Sequence, residues 1–105
     1  MALIDMDFVN GGGTNLSSLF GKRVAYISLE TVETIVCPVI GIKHIDIESY
    51  YGTGTMILYG IDSNDNKTTI WTGGATTGLD VSNYDLISCI RNTGNMSNYY
   101  VKYID

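Results

Sequence analysis

Proline and basic residues are scarce in this chain. Of 105 residues, one is Pro, one is His and six are Lys or Arg, set against eleven Asp and Glu for a formal net charge of −5. Nucleic-acid binding rests on basic side chains that neutralise phosphates. With Lys22–Arg23 as the sole adjacent basic pair, direct DNA or RNA binding is not expected, and a nucleic-acid mimic would carry denser acidic arrays. Cysteine is limited to Cys37 and Cys89, neither in a CxxC pair nor in a Cys/His cluster, which argues against a structural zinc site. No apolar run approaches the ~20 residues of a membrane helix. Met1 to Phe8 contain Asp5 and Asp7 and no basic residue, unlike a secretory signal. The expectation is a cytoplasmic protein with two reduced thiols, no membrane attachment and no cofactor.

What the chain does contain favours sheet. Charged residues make up 16%, while twelve Gly and eight Tyr accompany abundant Thr, Asn and Ile. This composition suits twisted strands and tight turns and resembles that of many small virus-encoded proteins. The length fits one domain spanning residues 1–105. Such a chain buries roughly 65% of its unfolded surface and needs no staples.

The strongest local signal is a β-hairpin, Thr55–Asp62 and Lys67–Gly73, joined by Ser63–Asn64–Asp65–Asn66. Ser, Asn and Asp suit such a loop because they bond nearby backbone and tolerate left-handed geometry. The expected register sets Asp62 opposite Lys67, Ile61 opposite Thr68, Gly60 opposite Thr69, Tyr59 opposite Ile70, Leu58 opposite Trp71 and Ile57 opposite Thr72. Side chains alternate with period two. One face then carries Ile57, Tyr59, Ile61 and Ile70; the other carries Met56, Leu58 and Trp71, with Gly60 leaving a gap near the indole. Both faces are apolar, so each needs cover.

Further strands are expected at 2–9, 23–28, 32–40, 42–51 and 99–104. In the first, Ile4, Met6 and Phe8 share a face opposite Leu3, Asp5, Asp7 and Val9. Gly11–Gly13 interrupt the pattern, and a helical turn is expected at 15–20. Pro38 marks an edge or a bulge. Ser82, with Asp85 three positions on, has the shape of a capping box, and Leu86, Ile87 and Ile90 form an apolar stripe ending before Gly94. Together these predict an α-helix over 82–92. The expected fold is therefore α+β: a mostly antiparallel sheet of about six or seven strands with one short helix packed on it.

Four constellations carry chemical interest. His44, Asp46 and Glu48 project from one side of a strand, and an imidazole with two carboxylates can hold a divalent metal. This is the weak metal-enzyme alternative, and adjacent strand residues splay apart. Cys37, flanked by Val36 and Pro38 in an acidic region, reads as packing rather than as a nucleophile beside His44. The paired Asp5 and Asp7 read as a solvated face. Gly73, Gly74, Thr76 and Thr77 lead to Ser82, the expected helix start, where backbone N–H groups attract anions. With Arg91, and Lys67 as a further cation, they form a candidate site for a nucleotide or another phosphate-bearing small ligand, although no GxxxxGK[ST] or GxGxxG pattern is present.

The favoured function is a small non-enzymatic interaction protein that self-associates as a homo-oligomer. A virus-encoded accessory or host-interaction factor with a protein partner is one form of it. Its expected interface comprises Trp71, Leu58, Met56, Tyr50 and Tyr100, because aromatics are enriched at interfaces.

Overall fold

Burial alternates at every residue along Thr55–Ile61: Met56, Leu58 and Gly60 are buried, and the residues between them are half-buried. A period of two means one covered face, and the cover is a second sheet. The computed structural model describes residues 21–104. The expected strand at 2–9, the glycines at 11–13 and the turn at 15–20 lie outside the described residues.

Eight strands follow in chain order: β1 (Arg23–Ser28), β2 (Thr34–Pro38), β3 (His44–Tyr51), β4 (Thr55–Ile61), β5 (Lys67–Gly73), β6 (Thr76–Asp80), β7 (Leu86–Thr93) and β8 (Asn98–Tyr103). They form two four-stranded sheets, ordered β1-β8-β3-β6 and β2-β7-β4-β5, and every pairing is antiparallel. Only β4 and β5 are joined within a sheet; each other connection passes from one sheet to the other. The inner rows of both sheets share one core: Ile27, Ile45, Ile47 and Val101 from the first, Met56, Leu58, Ile87 and Cys89 from the second.

The architecture is all-β, which corrects the expected α+β fold. No helix occurs among the described residues, and so none of them forms a helix long and apolar enough to cross a membrane. The segment expected to be helical over 82–92 is a turn followed by β7. Asp80 Oδ1 accepts both the Ser82 amide (2.9 Å) and the Ser82 hydroxyl (2.7 Å), which closes a turn where a helix cap was expected. The Asp85 amide then donates to Ile61 O, and β7 inserts between β2 and β4. The Leu86–Ile90 run looked like a helical stripe because a central strand is apolar on both sides. Ile87 and Cys89 face the core, while Leu86 and Ile90 stay half-buried on the outer side. Gly94 is not a helix cap; a Cβ there would fall 2.7 Å from Gly54 Cα, so it marks a close backbone approach.

The hairpin keeps its expected register at Leu58–Trp71 and Ile57–Thr72 and slips by one nearer the loop, where Tyr59 opposes Thr69, Gly60 opposes Thr68 and Ile61 opposes Lys67. Asp62 explains the slip. Its amide bonds Asn66 O, and its carboxylate accepts the Asn64 and Asn66 amides, which draws the loop closed one residue early. The surplus residue is a bulge at Ile70, and Ile70 packs against the core. The gap at Gly60 is filled by the Tyr84 ring, 2.6 Å from where a Cβ would stand.

Every edge strand carries such an irregularity against its neighbour: Val24 in β1, Val36 in β2, Ile70 in β5, and the Thr77–Gly78 region of β6. Bulges at edges twist the backbone away from further pairing. Pro38, at the end of the edge strand β2, supplies no donor there.

Two buried tyrosines of β8 span the sandwich. The Tyr99 hydroxyl donates to Gly54 O, and the Tyr103 hydroxyl donates to Pro38 O. Replacing Tyr103 with Phe should cost about 1–3 kcal/mol, the range for leaving a buried carbonyl without its partner; urea denaturation would measure it. Gly60→Ala should cost about 1–3 kcal/mol through overpacking against Tyr84. The loss should shrink in a Tyr84→Leu background, and an unchanged loss there would remove the Tyr84 contact as its cause.

Candidate interaction surface

The outward side chains of β8 are set by its inward ones. With Tyr99, Val101 and Tyr103 buried, Tyr100 and Lys102 point out of the first sheet. In register, Tyr26 of β1 and Glu48 of β3 stand on either side of Tyr100, and Arg23 stands opposite Lys102. Tyr50, two residues beyond Glu48 and at a bulge in β3, brings its ring against Tyr26 and Tyr100 on the same face. The three rings make one cluster, with centroids 5.4 Å apart for Tyr26–Tyr100, 5.2 Å for Tyr50–Tyr100 and 6.2 Å for Tyr26–Tyr50. Edge-to-face and tilted contacts at these separations are favourable for aromatic pairs.

The cluster is open to solvent, with Tyr26 54% and Tyr50 62% exposed. The Arg23 guanidinium carbon lies 4.9 Å from the Tyr100 ring centroid, and Arg23 also pairs with Glu48 at 3.1 Å. Lys102 reaches the other Glu48 oxygen at 3.5 Å. Beside these rings, Arg23, Val24, Ala25, Tyr26 and Tyr100 line a shallow depression of about 260 Å³.

The outer face of the second sheet is different. There Lys67 crosses Tyr59, its Nζ 4.5 Å from the ring centroid, and donates to Glu33 Oε1 at 2.7 Å. The buried Ser88 hydroxyl donates to the other Glu33 oxygen at 2.6 Å. These two hydrogen bonds, that from Lys67 the stronger, hold the Glu33 carboxyl below its ordinary range, and the same bond to Glu33 raises Lys67.

The structure separates the other expected sites. Of the expected interface residues, Met56 and Leu58 are buried in the core. Trp71 is half-buried opposite Leu58, its indole N–H bonded to Gly74 O at 2.9 Å. Tyr50 and Tyr100 meet in the ring cluster. Of the expected ligand residues, Gly73 ends β5, Gly74 follows it, and Thr76 and Thr77 belong to β6. Ser82 gives both its donors to Asp80, and no helix start lies behind it to offer amides to an anion. Arg91, on β7, reaches toward the β1–β2 connection, where Nη2 donates to Leu29 O at 3.1 Å.

His44, Asp46 and Glu48 share the outer face of β3. Asp46 accepts the Gly78 amide at 2.8 Å, Glu48 holds Arg23 and Lys102, and His44 stands opposite Asp80. No group of three or more His, Cys, Asp or Glu residues is placed to hold a metal ion among the described residues. Cys37 is buried, and burial pushes its thiol up to about 12; it is a packed apolar group and no nucleophile near neutral pH.

Tyr26 is the member of the cluster that sequence reasoning missed. Its signal is present in Arg23–Ser28, where Ala25 and Ile27 alternate with Tyr26, but the pairing of β1 with β8 spans most of the chain. The fold and this face define an antiparallel β-sandwich that displays an aromatic surface. Comparison with protein-family models, with curated proteins and with solved structures gives no match.

Several carboxylates stabilise turns in their ionised form. Asp62 is held below the usual range by the Asn66 and Asn64 amides, Asp80 by the Ser82 amide and hydroxyl, and Glu33 as described. A carboxyl depressed in the folded state contributes stability above its unfolded pKa and loses it as pH falls through the folded one. The urea midpoint should therefore fall as pH drops below about 4. Replacing Asp62 with Asn should lower the midpoint at pH 7 and flatten this acid dependence; an equally steep acid loss in that variant would count against it.

Proposed function

We propose that the protein is a non-enzymatic interaction module that self-associates through the outer face of its first sheet. The observation that carries this reading is the Tyr26–Tyr50–Tyr100 cluster, three rings in mutual contact with two of them more than half exposed. Tyrosine and arginine are favoured anchors at interfaces, and Arg23 lies over the cluster. The bulged edge strands support a face rather than an edge as the contact. The composition extends the reading to a cytoplasmic, virus-encoded accessory factor whose same face engages a host protein.

The test is sedimentation equilibrium of the full chain from micromolar to millimolar concentration. The wild-type mass should rise above that of the monomer. Tyr26→Ala and Tyr50→Ala should each weaken association about tenfold or more, as truncation of an aromatic anchor does, with unchanged circular dichroism. A wild-type chain that stays monomeric over the whole range would sink the reading.

A further inference from the structure

The tyrosine face has a basic rim, and the described residues begin beside it at Gly21. The Gly21 amide donates to Tyr103 O, at the end of β8, and Lys22 and Arg23 follow at once. Lys102 lies opposite Arg23 in register. Lys22, Arg23 and Lys102 are three of the six basic residues in a chain of net charge −5; Glu48 pairs with both Arg23 and Lys102, and Lys22 adjoins Arg23 in sequence, so this rim keeps an excess of positive charge. Beside it, at the bulge of β1, lies the depression lined by Arg23, Val24, Ala25, Tyr26 and Tyr100. A depression lined by apolar and aromatic residues and one arginine suits an apolar side chain that has a carboxylate close by in sequence.

The chain contains such a segment. Residues 3–8, Leu-Ile-Asp-Met-Asp-Phe, alternate apolar and acidic side chains and hold no base. The comparable alternation Ile45–Glu48 is already built into β3. Residues 1–20 lie outside the described residues, and only their sequence and length enter here. The twelve residues 9–20 can span roughly 40 Å at about 3.3–3.6 Å each, more than the roughly 15 Å across a four-stranded sheet.

We propose that residues 3–8 of one copy dock on the tyrosine face of a second copy, reciprocally about a twofold axis, with Asp5 and Asp7 meeting the Lys22–Arg23 rim. This rests on the self-association reading and names the element that occupies its face. A reciprocal exchange buries two segments and two faces at once, as an isologous interface does. It also brings together an acidic and a basic patch of a single sequence, which favours the correct encounter over others.

The experiment measures self-association of the full chain by sedimentation, with a synthetic peptide of residues 2–9 as competitor. Asp5→Asn with Asp7→Asn should weaken association about tenfold, and Arg23→Glu by a similar factor. Combining Arg23→Glu with Asp5→Lys and Asp7→Lys should restore most of the loss. The peptide should dissociate the wild-type assembly, and its double-Asn version should not. If Tyr26→Ala dissociates the assembly while the Asp variants and the peptide leave it unchanged, the segment is refuted and the tyrosine face stands. A monomeric wild-type chain refutes both, including the case in which the segment docks on its own chain.

Discussion

Two buried hydroxyls set the orientation of the strand on which the surface depends. Tyr99 and Tyr103 stand four residues apart on one side of β8, and each crosses the core to a carbonyl associated with the other sheet, at Gly54 and at Pro38. A hydroxyl in an apolar interior is costly unless bonded, and an unpaired strand-end carbonyl is costly in the same way. Each bond removes two penalties together. Burial also holds both phenols above their ordinary pKa, so they remain donors through the neutral range. A slip of β8 by one residue would break both bonds and turn every side chain to the opposite face. The outward positions of Tyr100 and Lys102 follow, and from them the places of Tyr26, Glu48 and Arg23.

The edges follow from a different constraint. With all connections but one passing between the sheets, four strands are left with an unpaired side among the described residues. An unpaired strand side invites another chain. Each of the four has an irregularity in its ladder, and a bulge at an edge twists the backbone away from further pairing. With its edges bulged, the sandwich is left chiefly its two outer faces for association.

The sequence made strands legible wherever one face met water and left the rest ambiguous. Arg23–Ser28 and Lys67–Gly73 were found with their boundaries, and Asp62 and Asn66 marked their loop, because alternation and turn chemistry are local. Leu86–Thr93 was misread because a strand apolar on both faces and a short amphipathic helix share the same run of Leu, Ile and Cys; only its long-range partners β2 and β4 distinguish them. Thr76–Asp80 is absent from the expected strands because its two threonines and glycine carry little apolar pattern. At the candidate surface, Tyr50 and Tyr100 were singled out from the sequence, whereas Tyr26 became visible only through its pairing across 74 positions with Tyr100. Met56 and Leu58 were expected at an interface because the hairpin has two apolar faces, and the second sheet, invisible in local pattern, covers that one.

The two outer faces of the sandwich treat exposed aromatics in opposite ways. On the second sheet, Tyr59 is crossed by a lysine that donates to one oxygen of Glu33, whose other oxygen accepts from Ser88. On the first sheet, no such ion pair crosses Tyr26 or Tyr50 among the described residues, and Arg23 lies over Tyr100. Folding does not require rings at these two positions: β1 and β3 hold their places through Ile27, Ile45 and Ile47 inside, and a threonine outside would serve a strand as well. Exposed aromatic clusters carry an association hazard that soluble monomers usually avoid. A chain that shields one tyrosine with an ion pair and leaves two others open on the opposite face therefore differs between its faces in a way stability does not explain. The proposed self-association would cover the open rings from outside the sandwich and account for that difference.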